Sequence, residues 1–207
     1  NFLKLHDALP VNGILADLGI SSHQIDEPER GFSTRANGPL DMRMGTGIEL
    51  TAKDVLNQYS EDRLARIFKE NADLHEAKKL ARTIVSARNS AIIETVDQLK
   101  DVVLPLAQRG KENSFLSRVF QAIRIEVNDE MNALNEMLTQ TPNLIKDGGR
   151  LVVISYHSLE DRLVENLIRS GNNEGKLEKD LYGRPLVPFE AVNRKPIIPT
   201  DEEIKRN

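Results

Sequence analysis

Two short apolar runs, separated by a long helical tract, constrain this chain more than any other feature. The first, Val11-Asn12-Gly13-Ile14-Leu15-Ala16-Asp17-Leu18-Gly19, is almost continuously apolar and ends in an acid and a glycine. The second is Gly148-Gly149-Arg150-Leu151-Val152-Val153-Ile154-Ser155, with the paired glycines read as the turn into it. Neither run alternates polar and apolar residues as a half-solvated strand would. Both read as strands buried on two faces, a pattern found mainly in parallel sheets covered by helices. An α/β fold is therefore predicted over an antiparallel sandwich.

The tract between the runs carries helix signals. Ser60 is placed to cap a helix to about Glu70, Asp73 with Glu76 to open another to about Arg88, and Thr95 with Gln98 to open one ending near Ala107. Phe115, Val119, Phe120, Ile123, Val127, Met131, Leu134 and Leu138 recur at three- and four-residue steps, which predicts one long amphipathic helix. A block of this size exceeds what a crossover between parallel strands needs. Residues 49–111 are accordingly read as an inserted helical subdomain, with 1–48 and 112–207 forming the sheet-bearing core. Ser158 and Asp161 have capping-box spacing for a further helix ending at Gly171, and the tail beyond it, with Pro185, Pro188, Pro196 and Pro199, reads as extended.

Composition narrows the function classes. The absence of cysteine excludes a disulfide framework, a thiolate zinc site and a cysteine nucleophile, and it fits a reducing, cytoplasmic setting. No metal is expected. No run approaches the ~20 apolar residues that a bilayer-spanning helix requires, so no membrane association is expected. A net charge of -4 from 28 basic and 32 acidic residues argues against indiscriminate nucleic-acid binding and leaves room for a local basic face.

Four constellations carry the candidate chemistry. Asp17 closes the first strand, and in open parallel sheets ligands bind beyond the carboxyl ends of strands. Ser21, Ser22 and Gln24 follow in the same loop, with groups suited to the polar edges of a base. Ser155-Tyr156-His157-Ser158-Leu159-Glu160-Asp161-Arg162 follows the second strand in the same way, so both loops should open on one crevice. Arg30-Gly31-Phe32-Ser33 and Gly38-Pro39-Leu40-Asp41-Met42-Arg43-Met44 form a loop that either stacks on a base and holds phosphate or packs as a lid on the helices. Gln121, Arg124 and Asn128 share one helix face, as a cleft lining or a solvated stripe.

Taken in this order, five segments resemble one family. They are Gly13 to Gln24, Glu29 to Ser33, Gly38 to Met44, Phe120-Gln-Ala-Ile-Arg-Ile-Glu-Val-Asn128, and Gly148 to Arg162. The chain resembles, over nearly its whole length, the RsmH (MraW) family of small-subunit ribosomal RNA methyltransferases, which use S-adenosylmethionine to methylate N4 of a cytidine. The resemblance implies a Rossmann-like class I methyltransferase sheet, here partial, with an inserted helical subdomain for substrate recognition. It implies small-subunit ribosomal RNA, or the small ribosomal subunit, as partner. It assigns Asp17 and Gln24 to the cofactor. Asp17, Ser22 and His157 are expected at the reacting groups. Phe32, Arg35, Arg43, Arg124, Asn128, Tyr156, Ser158 and Arg162 are expected on the RNA, with Phe32 or Tyr156 stacked on an everted base and the arginines holding phosphates.

The family pattern also includes a glycine-rich cofactor loop upstream of the matched residues and a basic Arg-Ala-Arg-Ser close, and neither stands in this chain. The expectation is a fragment that binds S-adenosylmethionine below family-typical affinity. Strand edges left open in this way can pair with a second copy, giving a homodimer. Two other readings differ in class. A Ser158/His157 hydrolase lacks a Gly-x-Ser-x-Gly elbow, and a non-catalytic RNA- or protein-binding module would need no cofactor loop.

Overall fold

The computed structural model describes residues 2–193 and 195–206. In chain order the elements are α1 (Phe2–Leu5), β1 (Val11–Asp17), α2 (Ser22–Asp26), α3 (Ala52–Gln58), α4 (Glu61–Glu70), α5 (Ala77–Arg88), α6 (Val96–Val103), α7 (Glu112–Asn128), α8 (Glu130–Gln140), β2 (Ile145–Ile154), α9 (Ser158–Ser170) and α10 (Asp201–Arg206), with short 3-10 turns between some of them. The protein is α/β, with helices and a small parallel sheet. It divides into two units: one is made of the described residues of Asn1–Asp17 and Leu134–Asn207, the other of Leu18–Ala133. The helical tract 49–111 lies wholly in the second unit, together with 18–48 and 112–133.

In the first unit, β1 and β2 run parallel, with Ile14 opposite Leu151, Leu15 opposite Val152, Ala16 opposite Val153 and Asp17 opposite Ile154. Register slips between Val11, paired with Ile145, and Gly13, paired with Arg150. The extra residues on β2 include Gly148 and Gly149, so the glycines form an irregularity inside the strand and not the turn before it. Gly149 has no room for a side chain: a Cβ there would stand 2.4 Å from the Ile145 side chain. The expectation of strands buried on two faces is corrected. Ile14, Ala16, Leu151 and Val153 are half-buried, whereas Leu15 is 69% exposed, Val152 49% and Ile154 44%. One face of the two strands is half-buried and the other is the more open.

The second unit holds the main core. Val55, Leu56, Leu64, Phe68, Leu80, Ile84, Leu99 and Ile123 are all buried, contributed by α3 to α7. Their burial is a helix-on-helix arrangement, so the bulk of the apolar stabilisation resides in this unit and not between helices and a sheet.

Caps explain most of its boundaries. Ser60 caps α4, and Thr95 with Gln98 makes a full capping box at α6. Thr51 with Asp54 does the same for α3, a helix the apolar periodicity does not mark. The pair Asp73/Glu76 does not open α5: its N-cap is Glu76 without a side-chain bond, and Asp73 takes a left-handed φ of 46° and pairs with Lys69. The expected long helix is two. Asp129 adopts φ 49°, ψ 41°, closing α7, and the chain restarts at once as α8. Apolar spacing runs through this break because one left-handed residue reorients the chain without shifting its period much.

The break generates a test. A β-branched side chain is strongly disfavoured at positive φ, so Asp129→Val should lower unfolding free energy by roughly 1–2 kcal/mol, while Asp129→Gly should leave it nearly unchanged. Urea denaturation of the two variants against the parent checks this.

Candidate active site

In the first unit the parallel register places the ends of β1 and β2 side by side, and the loop that follows β2 reaches back over β1. The Tyr156 hydroxyl donates to Asp17 Oδ1 at 2.9 Å. This bond holds the Tyr156 hydroxyl proton, pushing its pKa above the ordinary 10.0. The carboxyl end of β1 and the loop after β2 therefore meet through a hydroxyl and a carboxylate. The Tyr156 ring is 68% exposed.

The loop is fastened to the first turns of α9. Ser155 Oγ donates to Asp161, Tyr156 N donates to Glu160 Oε2 at 2.7 Å, and His157 N donates to the same oxygen at 3.3 Å. His157, not Ser158, is the N-cap, with Nδ1 accepting from Glu160 N at 3.5 Å. A neutral ring that accepts at Nδ1 carries its proton on Nε2. That nitrogen is buried, lies 3.2 Å from Glu160 Oε1, and makes no well-aligned hydrogen bond among the described residues. Glu160 is 2% exposed. Burial pushes its carboxyl up, but the His157 ring beside it and donation from the Tyr156 and His157 amides outweigh this and leave it below the ordinary 4.5.

One expectation is corrected here. The capping box is His157/Glu160 and not Ser158/Asp161. His157, expected at the reacting groups, has both ring nitrogens turned to Glu160 and acts as a helix cap. Ser158 and Arg162 are exposed on the first turns of α9.

In the second unit, Ser21 and Gln24 form the capping box of α2, with Gln24 Oε1 accepting from Ser21 N at 2.9 Å. Ser22 is the exposed first residue of that helix. The loop after it is tied down. Phe32 is 6% exposed in the core, with the Arg30 guanidinium 5.6 Å from its ring centre. Arg30 also donates to the Arg43 carbonyl. Arg43 forks onto Asp41, holding that carboxyl below its usual range, and reaches the Ile48 carbonyl. Asn128 accepts from Met44 N at 2.7 Å and donates to the Met42 and Arg124 carbonyls at 2.8 Å each. Arg124 makes a two-point contact with Glu130, both side chains largely buried.

The packed-lid alternative therefore holds for this loop. Of the residues expected on RNA, Phe32 lies in the core, and Arg43, Arg124 and Asn128 are engaged by protein groups. Gln121 donates to the Asn71 carbonyl and Arg118 to the Ala72 and Asp73 carbonyls. Arg35 remains exposed. Glu160 and Arg30 lie inside the motifs quoted from the sequence, which give neither a role of its own. The signal for Glu160 was its three-residue offset from His157, hidden because histidine is an uncommon N-cap.

One further cluster joins α3, α4 and α7. Tyr59 and Arg63 both donate to Glu126, and the Arg63 guanidinium lies 3.6 Å from the Tyr59 ring centre. Burial first, then donation to Glu126, pushes the Tyr59 hydroxyl up to about 12.

Comparison with known proteins bears on the whole chain. The family model described as "MraW methylase family" matches residues 1–207. The Amoebophilus asiaticus protein named "Ribosomal RNA small subunit methyltransferase H" is 52% identical over 206 residues, which is 100% of this chain and 66% of that protein. Proteins of the same name from Christiangramia forsetii and Bacteroides thetaiotaomicron are 54% and 52% identical over 100% of this chain, and 68% of each is covered. The chain thus spans about two thirds of the length of these curated relatives.

Two outcomes are expected from this geometry. Asn128→Ala should free the Met44 amide, so its hydrogen exchange should accelerate and stability should fall by about 1–3 kcal/mol, since it leaves buried groups unpaired. Because folded Tyr59 keeps its proton where the unfolded chain has lost it, the Tyr59 contribution to stability should decline as pH rises from 10.0 to about 12. Denaturation across that range should show this slope reduced in Tyr59→Phe.

Proposed function

We propose that this chain, which belongs to the MraW methylase family, is part of an enzyme that methylates N4 of a cytidine in small-subunit ribosomal RNA with S-adenosylmethionine as donor. The names of its relatives supply the reaction class and the RNA. Within the structure, the observation that carries the reading is the Asp17–Tyr156 couple at the carboxyl edge of the parallel strands. The sheet is read as part of a Rossmann-like methyltransferase core and the helical tract 49–111 as the substrate-recognition insert.

The residues present suit a sulfonium donor, since Asp17 brings a carboxylate to the strand edge where such sheets bind ligands, and the family pattern adds Gln24. S-adenosylmethionine, when bound, supplies an electrophilic methyl group. The rest falls to positioning. The N4 lone pair of cytosine is delocalised into its ring, so an acceptor on the N4 hydrogen draws electron density back to nitrogen and accepts that proton as the new N–C bond forms and the methyl–sulfur bond breaks. Asp17 is the residue we assign to this role. Tyr156 occupies Oδ1, which leaves Oδ2 for the amine, and its exposed ring is the one remaining candidate of the two aromatics for stacking on the base.

Phosphate contacts are assigned to exposed cations that have no acidic partner among the described residues. Arg35 and Arg162 are exposed, as are Arg66, Lys78 and Lys79 on α4 and α5. The hydrolase alternative loses its support, because the His157 ring faces Glu160 and is not presented to Ser158 as a base.

The test uses the full product of the gene encoding this chain. It should transfer labelled methyl groups to small ribosomal subunits, with the label recovered as N4-methylcytidine. Asp17→Ala should cut the rate by about 10²-fold or more. Undiminished transfer by that variant, or label on another atom, overturns the assignment.

A further inference from the structure

Glu160 is the only buried carboxylate among the described residues. Its burial exceeds what a helix start requires. A capping box asks only that an acceptor three residues into the helix reach the amide of the N-cap, and the boxes at Thr51/Asp54 and Thr95/Gln98 do this with exposed or half-exposed side chains. Glu160 also takes the amide of Tyr156, at a shorter distance than that of His157, and faces the second ring nitrogen of His157. Burying a carboxylate carries a desolvation penalty that a surface cap avoids. The extra bond to Tyr156 N is what burial adds.

Three consecutive residues after β2 are thereby tied to one helical turn, Ser155 through Asp161 and both Tyr156 and His157 through Glu160. The Tyr156 side chain, by contrast, is largely exposed and has one polar anchor, Asp17 Oδ1. A solvated hydroxyl exchanges readily between a protein acceptor and water, so the bond to Asp17 persists only as far as the backbone beneath the ring is held in place.

We propose that Glu160, with the His157 ring folded against it, is a positioning residue for the methyl transfer: a buried latch that sets the Tyr156 backbone so that its hydroxyl engages one oxygen of Asp17 and the other is turned to the target amine. This rests on the reading of Asp17 given above. Glu160 itself touches no substrate.

Two conservative variants separate the latch from simple helix capping. Glu160→Gln keeps an acceptor three residues into α9 but sets an amide N–H against His157 Nε2–H. His157→Asn keeps a good N-cap and removes the ring. The readout is the titration of Tyr156 in ring-labelled protein by NMR, assigned with Tyr156→Phe and referenced to Asp17→Asn, where the carboxylate is gone. Both latch variants should fold, with far-ultraviolet circular dichroism like that of the parent, and the Tyr156 midpoint should fall from its raised position to that of the Asp17→Asn reference. A parent-like midpoint in both folded variants overturns the proposal. If Glu160→Gln alone fails to fold, the midpoint in His157→Asn decides by the same criterion; if neither folds, the pair is purely structural and the proposal falls. In the full gene product, the folded variants should lose kcat by about 10- to 100-fold, with KM for S-adenosylmethionine within about twofold. Absence of methyl transfer by the parent would sink the functional reading while leaving the Tyr156 result to judge the latch.

Discussion

The parallel pairing of β1 with β2 is the constraint from which the candidate site follows. Its register sets Asp17 beside Ile154, and because the strands are parallel their carboxyl ends emerge at one edge. Shift the register by one residue and Asp17 would swap faces with Ala16, leaving the Tyr156 hydroxyl without its carboxylate. The irregularity at Gly148 and Gly149 absorbs the extra residues at the far end, so the register near the site is regular from Gly13 to Asp17.

The second unit uses its polar side chains to hold backbone. Asn128 joins Met42 and Met44 to α7, Arg30 and Arg43 close the same loop on itself, and Arg118, Gln121 and Arg124 engage carbonyls or a carboxylate of the protein. These partly buried bonds are worth having chiefly because the alternative is an unsatisfied group. They make a long segment without regular structure as well fastened as a helix. An arginine- and asparagine-rich pattern in such a loop thus signals internal fastening as readily as it signals a ligand.

What the sequence disclosed, and what it hid, divides along physical lines. Continuous apolar runs marked both strands and their parallel pairing, and Ser60, Thr95 and Gly171 marked helix ends, because each is a local preference with a local cause. The break at Asp129 was hidden, since a left-handed residue leaves the apolar spacing almost intact. The face of the sheet that stays exposed was hidden too, because apolar composition does not say what lies above a strand. The Asp17–Tyr156 meeting was legible as a neighbourhood but not as a bond. The capping role of His157 escaped because its neighbour Ser158 is the commoner cap, and the polar face of α7 escaped because helical periodicity says which residues share a side, not what that side touches.

The bond between Tyr156 and Asp17 joins positions 139 residues apart. Were the intervening chain a coil, closing so large a loop would carry the entropy of a long random walk, and the pairing of β1 with β2 would be slow to find. Residues 18–133 instead carry their own core, so much of that stretch's conformational freedom is already given up within its own unit. Any change that loosens the core of residues 18–133 should therefore be felt first in how quickly β1 finds β2.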